Sequence, residues 1–258
     1  MSHDKILIPS AEVKASSPIR TSLYEREGSM WGSLKRPSPR RQGNLVADCR
    51  SDDSDFCLLM TSRYGLSKAQ MHRAADRYRL GKSRSGKCIF WMMDDMGQVR
   101  DGHIGTSWVS MMLKAREPEF LRYWHASHCL FGLHLLGMAA VQHCGEAARP
   151  VCIVEREPTA VVLSELFPEC LWMASAYPLN LNTQHLEPLR SHRVTLYPPT
   201  DPAADNYFGW LEVADEARRI LQLDVSVSTI LEDHASREQK QRGIDLLDFL
   251  IESGQKST

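Results

Sequence analysis

Two carboxylates stand where an α/β protein would do chemistry. The run VCIV (151–154) is apolar and β-prone, and it ends in Glu155 just before a helix-like pattern. A later apolar run, RVTLY (193–197), leads into the loop PPTDP, which carries Asp201. In open parallel sheets ligands bind at the carboxyl ends of the strands, so acids at two strand ends can meet at one edge. Carboxylates so placed can share Mg²⁺, a hard cation that takes oxygen ligands and keeps several waters. A metal held that way polarises phosphate and orients an oxygen nucleophile. Glu155 and Asp201 are therefore the candidate catalytic pair, and Glu155, Asp201 and Asp205 the candidate metal ligands, with Glu157 as an alternative to Asp205. The structural alternative makes Glu155 a solvated strand-end acid and Asp201 a turn residue of a Pro-rich loop.

Those acids need a sheet to hold them. From residue 151 short apolar runs alternate with helical patterns: VCIV then PTAVVLSELF, LWMA then NTQHLEPLR with Asn182 as cap, RVTLY then NYFGWLEVADEARRILQL. DVSVS is a further strand, and a last helix follows Ser236, with Gln239 closing a capping box and GIDLLDFLI carried within it. Short apolar strands alternating with helices predict a parallel sheet covered on both faces. The upstream half reads differently. Ser67 caps KAQMHRAADRYR, which puts Met71, Ala74, Ala75 and Tyr78 on one side. Cys88 to Met93 is a strand, Asp94 to Gly97 a turn, and Gln98 to Val109 resumes with a break at Gly102, an antiparallel hairpin or meander. FGLHLLGMAAVQHCG is an apolar helix that stops at Gly145. The expected organisation is a disordered basic arm over 1–43, an α+β subdomain over 44–145 and an α/β domain over 150–252.

Composition narrows the partners. A formal net charge of -1 gives no global basic field, so any nucleic-acid contact must come from a local patch. SLKRPSPRRQG carries Lys35, Arg36, Arg40 and Arg41 and no acid. Arg36, Arg40 and Arg41 are candidate phosphate contacts of the arm. Arg100, His103 and Lys114 could line a groove for DNA or RNA, the alternative being a solvated face. His125, His128 and His134 tempt a zinc reading, but on an apolar helix without thiolate pairs they are better read as packed side chains. Trp91, Trp124, Trp172 and Trp210 are read as core anchors rather than base-stacking platforms. Seven cysteines, none in a C-x-x-C pair, and a polar N-terminus suggest free thiols in a reducing cytoplasm. No apolar run has membrane-spanning length, so no membrane is expected as a partner.

A glutamate ending the first strand and an acid after a later one resemble the Toprim fold of primases, topoisomerases and related nucleases. The wider match is to a family of Toprim-like proteins of unknown function common in Bacteroidota and often near mobile elements. DRYRLGKS (76–83), IFWMMDDMGQVRDGHI (89–104), WHASHCLFGLHLL (124–136), VCIVEREPTA (151–160), LWMASA (171–176), RVTLYPPTDP (193–202) and GIDLLDFLI (243–251) run in the family's order. The resemblance implies a Toprim-like parallel sheet flanked by helices, an optional Mg²⁺, and a replication or mobile-element context. This chain departs from the pattern at four places. Pro199 stands where the family has the first aspartate of Asp-x-Asp, and Pro158 where it has a lysine. Ala176-Tyr177 replaces a Gly-Gly pair, and Leu133 replaces a glutamate. Three readings follow. The first is a divergent nucleic-acid-associated protein with catalysis weakened or lost. The second is a working Mg²⁺-dependent primase-like or nuclease-like enzyme, and the third is a non-catalytic protein-interaction module.

Overall fold

The computed structural model describes residues 45–105, 107–109, 128–137, 149–176 and 181–255. Helices α1 (Asp55–Arg63) and α2 (Lys68–Tyr78) precede strands β1 (Gly81–Lys82), β2 (Cys88–Met93), β3 (Val99–Ile104) and β4 (Ser107–Trp108). These four strands form an antiparallel sheet in the order β1-β2-β3-β4. Then come β5 (Val151–Val154), α3 (Glu157–Leu166), β6 (Leu171–Ala174), α4 (Thr183–Leu186), a 3₁₀ turn (Glu187–Leu189), β7 (Val194–Leu196) and α5 (Asp205–Leu221). The chain continues through β8 (Val225–Val227), α6 (Ile230–His234), α7 (Arg237–Arg242) and α8 (Leu246–Gln255). Strands β5 to β8 form a second sheet, all parallel, in the order β6-β5-β7-β8. The expected mixed architecture, with a parallel sheet flanked by helices and an antiparallel hairpin before it, is the one observed. No helix among the described residues is long and apolar enough to cross a membrane.

Local chemistry explains most of these elements. β5 lies inside the sheet and β6 at its end, where Phe131 bridges to Ala174, and both are buried at every position. α2 starts with a reciprocal capping box between Ser67 and Gln70 and buries Met71, Ala74, Ala75 and Tyr78. In the turn after β2, the Asp94 carboxylate accepts the backbone N–H groups of Met96 and Gln98 at 3.1 and 2.8 Å.

Three expectations are corrected. Gly102 does not break the second strand; it lies inside β3, directly opposite Trp91. A Cβ at that position would come within 2.9 Å of the Trp91 ring and 3.0 Å of Val109, so glycine makes room for a fully buried indole. The helix after Ser236 does not carry GIDLLDFLI. α7 has the expected capping box with Gln239, but it ends at Gly243 in the left-handed region (φ 62). α8 is a separate helix begun by Asp245, whose carboxylate accepts the Asp248 N–H at 3.0 Å while that of Asp248 accepts the Asp245 N–H at 3.2 Å. In the segment expected to be helical from Phe131, that residue instead pairs with Ala174 as an antiparallel bridge and helix begins only at Leu135. Its continuation to Gly145 lies outside the described residues, as do the arm over 1–43, Trp124 and His125.

One buried cluster contains side chains from both sheets. Tyr78 of α2 is its joint. The ring stacks on Phe131 at 5.0 Å, and the hydroxyl donates to the Trp172 carbonyl of β6 at 2.8 Å. Burial pushes the phenol well above its ordinary value, so it stays a donor. Arg73 and Arg77 of α2 both contact the Glu165 carboxylate of α3, at 2.8 and 3.0 Å.

Adding one methyl group at Gly102 tests the hairpin packing. Gly102→Ala is expected to destabilise the fold by about 1–3 kcal/mol, the range for overpacking a filled core. Urea unfolding followed by tryptophan fluorescence reads the difference, and an unchanged midpoint would contradict the close Trp91 approach.

Candidate functional site

The carboxyl ends of β5, β7 and β8 lie along one edge of the parallel sheet, and the side chains there are unequally committed. Glu155 follows β5 and is half-buried. Burial raises its pKa; the neighbouring Arg156 opposes the rise, while Asp245 and Glu157 add to it. Arg156 occupies the N-cap position of α3 without capping it. Its guanidinium instead reaches α8, with Nε 2.9 Å from Asp245 Oδ2 and Nη2 donating to Asp248 Oδ2 at 2.6 Å. The Nε contact is an ion pair without hydrogen-bond alignment. Asp245 is buried and also accepts the Thr159 hydroxyl. Burial and Asp245 raise the Asp248 pKa, against the pull of Arg156.

The loop after β7 is held by structure rather than by charge. Thr200 is fully buried, its N–H donates to the Ile244 carbonyl at 3.0 Å, and its hydroxyl donates to Glu232 at 2.9 Å. Lys240 closes that group on Glu232 at 2.6 Å. Asp201 accepts three backbone N–H groups: Ala203 at 2.9 Å and Asp205 at 3.0 Å on one oxygen, Asn206 at 2.8 Å on the other. The residue before α5, Ala204, sits at φ 60 and caps nothing. Asp201 therefore satisfies the orphan donors at the start of α5 from three residues upstream. Asp205 is exposed in the first turn of that helix, where a negative charge suits the dipole.

The candidate metal ligands do not assemble. Among the described residues no three His, Cys, Asp or Glu side chains come close enough to hold a metal ion. Of the three, Glu155 accepts no hydrogen bond among the described residues, Asp201 is spent on the helix start, and Asp205 faces solvent. This donor set does not fit Mg²⁺, which needs several hard oxygens converging. Of the other candidates, His103 is buried, with Nδ1 3.0 Å from Glu157 and its ring 4.8 Å from that of Trp108. Arg100 contacts Asp94 at 2.5 Å. Lys114, Arg36, Arg40 and Arg41 lie outside the described residues. His134 is packed in the core with Nε2 3.0 Å from the Arg77 carbonyl, and burial lowers its pKa to about 4.

The turn after β6 is strained at one residue. Ala176 stands where the resembling family has glycine, and its φ is 63, the left-handed region. A non-glycine residue held there costs about 1–2 kcal/mol. The backbone keeps the shape because Ser175 and Ala176 N–H groups donate to the Val154 and Glu155 carbonyls, both at 3.0 Å.

A basic turn escaped the sequence reading. Between β1 and β2 the chain reads GKSRSGK (81–87). Ser83 N–H donates to the Lys87 carbonyl at 2.8 Å, and Gly86, at φ +82, donates to Ser83 at 2.9 Å. Lys82 pairs with Asp53 at 2.8 Å and Arg50 with Asp76 at 2.5 Å. Arg84 and Lys87 are exposed, and no acidic partner is seen for either among the described residues. An open groove of about 520 Å³ beside the turn is lined by Arg50, Lys82 and Arg84, by Ser51 and Ser83, and by Asp48 and Cys49. The signal was local: three bases in seven residues, with two serines and no acid.

The profile of the DUF6371 family, a domain of unknown function, matches residues 54–200. The chain belongs to that family. The match spans the hairpin and the first three parallel strands but stops before β8 and Asp201. No curated protein is matched by this DUF6371 sequence. Among solved structures, the DnaG primase catalytic domain bound to ssDNA aligns at 15% identity and TM-score 0.50, covering 83% of this chain and 81% of that one. A DnaG catalytic core (15% identity, TM-score 0.48, 83% of each chain) and the E. coli primase catalytic core (15%, 0.49, 84% and 83%) align with lower scores. The first of these, with the sheet order above, makes the fold Toprim-like.

Two substitutions test the division of labour at the edge. Asp201→Ala removes the start of α5 and is expected to cost about 0.5–2 kcal/mol of stability, read by chemical denaturation. A fully stable variant would free Asp201 for another task. Glu155→Gln works the other way. An acid whose folded pKa is raised contributes stability that is present below its ordinary value of 4.5 and lost as pH rises through the raised value. Glu155→Gln should therefore melt at or above wild type near neutral pH, with the gap closing on acidification. Thermal scans between about pH 4 and pH 8 measure it; a variant less stable than wild type at neutral pH would mean that the carboxylate has a partner.

Proposed function

We propose that this chain is a Toprim-like nucleic-acid-associated protein whose metal-dependent catalysis is weakened or lost. It would act in the cytoplasm in a replication or mobile-element setting. The observation that carries the reading is the capture of Asp201 by three backbone donors, which removes the second acid of the expected catalytic pair. Pro199, beside it, has no carboxylate to offer in exchange. The likeness of the fold to a primase domain bound to ssDNA supports nucleic acid as the partner. The surface best suited to it is the basic turn, where Arg84 and Lys87 are exposed and serine hydroxyls flank them. Such contacts are sequence-independent, phosphate-directed and salt-sensitive.

Fluorescence anisotropy with a labelled single-stranded oligonucleotide tests this. Wild type is expected to bind with an affinity that falls as salt rises. Arg84→Ala with Lys87→Ala should weaken binding and reduce the log–log salt slope by about 0.7 per lost phosphate contact. Wild type that fails to bind, or a double variant that binds equally well, would defeat the proposal. A primase or nuclease assay run alongside addresses the enzyme reading: Mg²⁺-dependent turnover that Glu155→Gln abolishes would replace a non-catalytic role with a catalytic one.

A further inference from the structure

Two buried thiols face each other where α1 meets β2. Cys57 lies in the first turn of α1, and Cys88 is the first residue of β2. The backbone around them is already fastened. Asp55 N–H donates to the Gly86 carbonyl at 2.9 Å, and the Asp55 carboxylate accepts the Cys88 N–H at 2.8 Å. Beside them the Phe56 ring meets that of Phe90 at 5.2 Å. Cys57 and Cys88 therefore approach side chain to side chain, and the Cys88 thiol donates to the Cys57 sulfur. Ser54, the N-cap of α1, adds its hydroxyl, which donates to Cys57 Sγ at 3.2 Å. These donors favour the thiolate, as the start of a helix does. The Cys88 thiol foremost, with Ser54, holds the Cys57 pKa down to about 7 against its burial. Cys49, Cys88, Cys129 and Cys152 are all shifted the other way, with burial the largest cause.

We propose that Cys57 and Cys88 are a redox-active dithiol, in which Cys57 is the nucleophile and Cys88 resolves it into a disulfide when hydrogen peroxide is the oxidant. The Cys57 sulfur attacks one peroxide oxygen. An S–O bond forms, the O–O bond breaks, and the departing oxygen leaves as water with the proton of the Cys57 thiol. Cys57 is then a sulfenic acid. The Cys88 sulfur attacks it. The S–S bond forms, the S–O bond breaks, and the hydroxyl leaves with the Cys88 proton as a second water. The two thiols have given up two electrons, and one peroxide has become two waters. Cys57 is 1% and Cys88 3% exposed, so the pair is suited to a small oxidant rather than a bulky one. The backbone bonds already hold α1 against β2, so the bridge closes without a large backbone movement. In a reducing compartment such a disulfide is transient, as a sensor requires. This inference stands apart from the nucleic-acid reading, because neither thiol belongs to the exposed bases of the turn.

The test starts from the full chain, reduced, freed of reductant and exposed to hydrogen peroxide under native conditions. Remaining thiols are blocked with an alkylating agent, and the peptides are mapped by mass spectrometry without reduction. A disulfide between Cys57 and Cys88 is expected as the first cysteine product, and dithiothreitol should reverse it. The oxidised protein should melt about 5–10 °C above the reduced one, because a cross-link that closes a long loop constrains the unfolded chain. Cys88→Ala should stop at the sulfenic acid on Cys57, captured by dimedone, and Cys57→Ala should leave Cys88 unmodified at the same dose. Exposed Met96 supplies the internal control for dose. Cys57 and Cys88 that stay reduced while Met96 becomes a sulfoxide would overturn the inference. So would Cys152 joined to Cys170 as the first disulfide, or a bond between Cys57 and Cys88 that forms only in urea that unfolds the chain. Should a variant fail to fold, the map of the wild type decides by itself.

Discussion

A charge buried at a strand end must be balanced where it stands, because water is not there to screen it. In this fold the balance is struck by Arg156 against Asp245 and Asp248. The pairing spans 92 residues between Arg156 and Asp248 and fastens α8 to the end of β5. Much of the sheet edge is arranged around it. Asp245 starts α8, Thr159 in the first turn of α3 completes its shell, and the neighbouring Ile244 carbonyl takes the Thr200 N–H after β7. α8 is thus tied to the edge where an open α/β sheet would bind a ligand.

The second constraint is the joint between the two sheets. A Tyr78 hydroxyl on the Trp172 carbonyl, two arginines on Glu165, and His103 against Glu157 all cross from the antiparallel half to the parallel half. Each places a polar group in or beside a shared apolar core, where an unmade hydrogen bond is expensive. The two halves are therefore packed as one body at this seam. His103, read from sequence as a nucleic-acid contact, is part of that joint rather than of a groove surface.

The sheet edge puts its distinctive residues to structural use. Ala176 holds a left-handed turn that glycine would take without strain. Asp201 keeps an acid's place after β7, but its oxygens serve the N-terminus of α5. Leu133, where the resembling family has a glutamate, is buried in the core. Asp201 and Asp245 at this edge serve to hold the scaffold together. The exposed bases of the turn between β1 and β2, Arg84 and Lys87, are the ones proposed above to meet phosphate.

The sequence by itself determined what depends on neighbours in the chain. Apolar runs became buried strands, Ser67, Asn182 and Ser236 became helix caps with their partners three residues on, and Glu155 ended β5. These are local matters of side-chain period and of short loops of hydrogen bonds. Even the missed features of this kind, the stop at Gly243 and the base-rich turn, were legible in short stretches. Tertiary structure alone decided which acids are free. Whether a carboxylate meets a metal, a backbone amide or a guanidinium depends on donors that arrive from elsewhere: 92 residues away for Arg156 and Asp248, 54 for His103 and Glu157. Sequence spacing carries no record of such encounters, because they follow from how helices and sheets pack. Gly102 makes the same point for shape, since its reason is the flat ring of Trp91 on the opposite strand.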